Sequence, residues 1–93
     1  MQTEIEEFIK RRFKSNCNWL DGNCYYFAVI LKERFPVLEI NYDYLNGHFI
    51  VSDPDGKFYD FTGCIVPDSH IKLETIKRDD PAWYERLRRD CIL

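Results

Sequence analysis

The sequence predicts an α+β fold: helices at both ends and a small antiparallel β-meander between them. Three observations carry this. Apolar residues recur at helical spacing near the start, a second run is apolar on every side, and the pattern changes to period two after Pro36. With 93 residues the chain reads as one domain, residues 1–93, with one modest core. Composition is 45% hydrophobic and 16% aromatic, so large rings supply the core and no disulfide staple is required.

Thr3 followed by Glu6 forms a capping box, and Ile5, Phe8, Ile9 and Phe13 then recur on one face, which predicts an amphipathic helix over residues 4–14. Residues 15–23 hold three Asn, an Asp and a Gly around Trp19 and Leu20, a loop pinned by an aromatic ring. Asn23 is a good N-cap for a helix from Cys24 to Phe35, stopped before Pro36. From Tyr25 to Leu31 that helix has no polar side, as expected where a helix is buried at the centre of a domain.

Leu38, Ile40, Tyr42 and Tyr44 then alternate with Glu39, Asn41 and Asp43, a half-buried strand. Asn46-Gly47 suits a type I′ hairpin turn into a strand from His48 to Asp53. Pro54-Asp55-Gly56 turns the chain again into Lys57–Thr62. Residues 63–69 read as irregular, and the alternation of Ile71 to Ile76 predicts a further short strand. Asp80 as N-cap with Pro81 at the first helical position opens a last helix, whose Trp83, Tyr84, Leu87 and Cys91 can face the core.

Several function classes fall away on composition. A net charge of -3 argues against a general binder of phosphate backbones, and the mixed charges of the last third read as a solvated helix face. No apolar run approaches the ~20 residues of a membrane span, and the acidic start does not lead into an apolar signal core, so a soluble cytoplasmic protein is expected. In that setting the cysteines at 17, 24, 64 and 91 are expected as reduced thiols. Zinc held by Cys17, Cys24, His48, Cys64 or His70 is a weaker reading because no Cys-x-x-Cys pair is present, and neither metal nor cofactor is expected.

The chemistry-bearing residues are Cys24, His48 and Asp60. Cys24 sits at the first turn of the buried helix, where free backbone N–H groups and the positive dipole end favour a thiolate. Antiparallel pairing across the turn at 53–56 puts residues 48, 50 and 52 on the same face as 58, 60 and 62, which makes His48 and Asp60 diagonal neighbours. A thiol, an imidazole to move its proton and a carboxylate to orient the imidazole are what nucleophilic catalysis requires. Asp53 competes for the carboxylate role, although its place beside Pro54 suits turn capping better. For the oxyanion, the Cys24 backbone N–H and the side chain of Asn18 are candidates, with Asn16 and Asn23 as rivals.

Asn23-Cys24-Tyr25-Tyr26-Phe27-Ala28, Gly47-His48-Phe49-Ile50-Val51 and Phe58-Tyr59-Asp60-Phe61-Thr62-Gly63 together resemble the papain-like superfamily, especially its compact NlpC/P60-type and transglutaminase-like branches. The resemblance covers about residues 16 to 63. It implies a papain-like α+β domain in which Cys24 is the nucleophile, His48 the general base and acid, Asp60 the orienting residue and Asn18 an oxyanion donor. The Asp-Cys-Ser-Gly run of NlpC/P60 peptidases is missing, and so is the Cys-Gly-Ser-Cys-Trp run of papain. Two functions follow: a thiol hydrolase or acyltransferase acting on an amide or ester of a protein or peptide, or a non-catalytic binding or inhibitory protein, phage or mobile-element borne, on the same scaffold.

Overall fold

The computed structural model describes residues 2–13 and 24–92, the side chains of residues 24 and 90–92 excepted. It is a small α+β domain. Helix α1 (Gln2–Arg12) and helix α2 (Cys24–Arg34) precede strands β1 (Glu39–Asp43), β2 (His48–Ser52), β3 (Phe58–Asp60), β4 (Gly63–Ile65) and β5 (Ile71–Lys72). Helices α3 (Leu73–Asp79) and α4 (Pro81–Ile92) follow. The strands form one antiparallel sheet in the order β4-β3-β2-β1-β5.

The core is built by the predicted apolar stripes. Ile5, Ile9 and Phe13 of the first segment meet Phe27, Ala28 and Leu31 of α2, and these pack on Phe49, Val51 and Tyr59 of the sheet. Edge-to-face ring contacts tie the layers: Phe13 to Phe27 at 4.8 Å and Tyr25 to Phe49 at 5.2 Å between centroids. Such pairs add roughly 0.5–1.5 kcal/mol each beyond the area they bury. Leu73 and Ile76 of α3 and Leu87 of α4 close the core at its other end.

Several boundaries differ from the sequence reading, each for a local reason. Helix α1 begins at Gln2, so Thr3 lies in its first turn and does not cap it. The turn after β1 is not type I′, which requires positive φ at both central residues: Gly47 has φ +70° and no non-Gly residue among the described ones has positive φ. Residues 44–47 instead form a longer loop closed by a hydrogen bond from Gly47 N to Asp43 O at 2.7 Å. Residues 63–65, read as irregular, add strand β4 to the meander. Extended structure after residue 70 ends at Lys72, and the apolar pair Leu73 and Ile76 then lies on one face of a helix, because a spacing of three serves helical burial. The last helix starts as read, with Asp80 Oδ1 accepting from Trp83 N at 3.2 Å.

Strand order has a consequence for the second face of the sheet. β4 lies at one edge and β5 at the other, so residues 66–70 must cross the sheet. They cross on the face away from the helices, where Ser69 Oγ donates to Asp43, Asp68 accepts from Asn46, and the His70 ring lies 4.6 Å from Phe58. Under this strap Ile50 is fully buried although it is not part of the core on the helix side.

Candidate functional site

Alternation along β2 decides which predicted residues can meet. Phe49 and Val51 face α2, so His48, Ile50 and Ser52 face the strap. The register pairs Val51 with Tyr59, which sets Ile50 opposite Asp60 and puts His48 and Asp60 on the same face, as the parity argument requires. The carboxylate beside His48 is nevertheless that of Asp43, with Nε2 to Oδ2 at 4.0 Å. Asp60 spends its Oδ1 on its own turn, accepting from Thr62 N at 2.8 Å and from Thr62 Oγ1.

Asp43 belongs to the polar side of the alternation along β1 and is no member of the expected triad. The hairpin register pairs it directly with His48, and its residue surface is 1% exposed. Its Oδ1 accepts from Ser69 Oγ at 2.6 Å and from Asn46 N at 3.2 Å, and its Oδ2 from Asn46 Nδ2 at 2.8 Å. Burial alone pushes this carboxyl up, but the bonds from the Asn46 side chain, Ser69 and the Asn46 backbone, with His48 nearby, hold it below the usual value. The Asn46-Gly47 turn expected from the sequence would pair His48 with Leu45, and the longer loop over residues 44–47 moves that pairing to Asp43.

The hydrogen bonds of this cluster join two stretches of backbone far apart in sequence. Ser69 Oγ gives its proton to the Asp43 carboxylate and accepts from Leu45 N at 3.0 Å, an arrangement that ties the strap to the hairpin turn. Asn46 Nδ2 adds a second tie, to Asp68 Oδ2 at 2.9 Å. The Asp53 carboxylate performs a similar task at the next turn. It accepts from Asp55 N and Lys57 N, both at 2.9 Å, and from Tyr59 Oη at 2.7 Å. Turn capping is therefore what Asp53 does, and burial followed by the Asp53 bond pushes the Tyr59 hydroxyl far up.

Cys24 is the first residue of α2, as expected, while its side chain and Asn18 lie outside the described residues. The backbone still constrains the triad. Tyr25, the next residue of α2, packs on Phe49, and so belongs to the face of the sheet that His48 turns away from. The sheet thus stands between the side that carries α2 and the side that carries the His48 ring. Cys64 is an exposed free thiol on edge strand β4, opposite Tyr59. No group of three or more His, Cys, Asp or Glu side chains that could hold a metal occurs among the described residues. No described helix is long and apolar enough to cross a membrane.

A family described as Phage YunG-like protein matches residues 1–88, and the chain belongs to that family. This overturns the papain-like resemblance, which rested on three short runs within residues 16–63, whereas the match also takes in α1, β4, β5, α3 and most of α4. No curated protein matches the chain, and no solved structure does.

Proposed function

We propose that this phage YunG-like chain is a small non-catalytic binding protein that acts in the cytoplasm by contact with another protein, through the turn between β1 and β2. One observation carries the reading: Tyr44 and Leu45 are 54% and 68% exposed on a turn whose backbone is hydrogen-bonded to Ser69 and Asp43. Large apolar side chains presented on a fixed backbone bind without the cost of ordering a loop, which is how recognition surfaces gain affinity. The separation of His48 from the α2 side of the sheet supports the non-catalytic half of the reading, and the word phage in the family's description agrees with a small accessory protein of a mobile element.

The thiol-hydrolase reading retains one favourable observation, the position of Cys24 at a helix start. Site-resolved alkylation by iodoacetamide separates the two. The binding reading expects Cys24 to react at the same rate, within about twofold, in the wild type and in His48→Ala. A loss of about tenfold or more in His48→Ala would establish an activated thiol and reject it. Where the expressed chain produces a phenotype in its host, that effect should survive Cys24→Ala and disappear with Leu45→Asp. The reverse result would reject the reading.

A further inference from the structure

We infer that a recess between α2, β1, α3 and α4 binds a small carboxylic acid carrying a single flat apolar ring. This goes beyond the protein-binding reading and concerns a different part of the molecule.

The recess arises from the way β5 ends. β5 pairs only with Asn41 and Tyr42 of β1, and the chain then coils into α3, so nothing continues the sheet beside Glu39 and Ile40. The space left is about 170 Å³. A volume of roughly 150 Å³ holds a benzene ring, so this open recess has room for a single ring with a short tail. Ile40, Leu73 and the ring of Tyr84 supply the apolar wall.

Charge at the rim selects the tail. Lys32, Lys72 and Lys77 line the recess with Glu39 and Glu74, an excess of positive charge in a chain whose net charge is -3. Lys72 is committed to Glu39, Nζ to Oε2 at 3.0 Å. Lys32 Nζ donates to Leu38 O at 2.7 Å, a carbonyl that leaves its charge uncompensated. Lys77 has no ion pair among the described residues, and its ammonium lies 5.6 Å from the centroid of Tyr84. A cation held over an aromatic ring beside an apolar wall is complementary to a carboxylate joined to a flat apolar body. Glu74 opposes the same charge, which gives the site a second, independent handle.

Amide correlation NMR of the full chain, titrated with 3-phenylpropionate and with 3-phenylpropan-1-ol, tests this. Saturable shifts are expected at Ile40, Leu73, Lys77 and Tyr84, with the acid binding more tightly than the alcohol. Lys77→Met should weaken the acid about three- to fivefold, Glu74→Gln should tighten it about twofold, and neither should alter binding of the alcohol. Both side chains are exposed, so an unchanged spectrum of each free variant verifies its fold. A carboxylate with this body also occurs at the end of a peptide. Acetyl-Gly-Gly-Phe binding more tightly than 3-phenylpropionate would support the site as one for peptide ends, and weaker binding would support it as one for a free acid. The absence of saturable shifts, shifts scattered over the surface, equal binding of acid and alcohol, or indifference to Lys77→Met would overturn the inference.

Discussion

The two faces of the sheet are both buried in large part, but by opposite means. On the helix side Phe49, Val51 and Tyr59 join the apolar cluster with α1 and α2, with the Tyr59 hydroxyl bonded to Asp53 at its margin. On the other side Asn41 and Asp43 are 2% and 1% exposed, and a strap of five residues covers part of the face by hydrogen bonding to it. The first face tolerates many apolar sequences of the right volume, whereas the second depends on particular donors meeting particular acceptors. Apolar packing therefore sets the fold here, and the polar face fixes a turn.

Four substitutions would break or sharpen that contrast. The largest effect is expected from Phe49→Ala, which empties a fully buried site on the helix face and should cost ~3–5 kcal/mol in denaturant unfolding. Asp43→Ala should follow at ~2–3 kcal/mol, since it leaves the buried Ser69 hydroxyl and the Asn46 amide without their acceptor. Ser69→Ala should cost ~1 kcal/mol, and the two changes together should cost less than their sum, because they remove one shared bond. Gly47→Ala should cost ~1 kcal/mol through its φ of +70° alone, as the added Cβ meets nothing nearer than Tyr42 Oη at 3.8 Å.

Acid should expose the same polar ties. Asp43 and Asp53 are both held below the ordinary value of 3.8 in the folded chain. Their contribution is therefore complete above that value and is lost as pH falls through the lower folded values. Wild-type stability measured at pH 5 and at successively lower pH should fall, and Asp43→Asn should fall less steeply. Equal slopes for the two proteins would show that the carboxylate's charge contributes nothing to holding the strap on the sheet.

The helix face was legible in the sequence because helical spacing and strand alternation both report directly on burial against an apolar layer. Cys24 at the head of α2 and the turn-capping role of Asp53 followed from the same local rules. The outer face was not legible. Alternation marked Asn41 and Asp43 as one polar face, but whether that face is covered depends on where residues 66–70 run, and that follows from strand order. β4 and β5 are three and two residues long, too short to carry a periodic signal that would have revealed this order. Asp60 was the right parity and the wrong partner, because the adjacent strand across the hairpin brings Asp43 to His48 in direct register.

The central claim is that the His48 ring belongs to the strap side of the sheet, apart from Cys24. Proton NOE spectroscopy of the folded chain tests it most directly. The account predicts contacts from the His48 ring protons to the β-protons of Asp43, and none to the β-protons of Cys24. A contact between the His48 ring and Cys24 would contradict it and restore the thiol–imidazole pair.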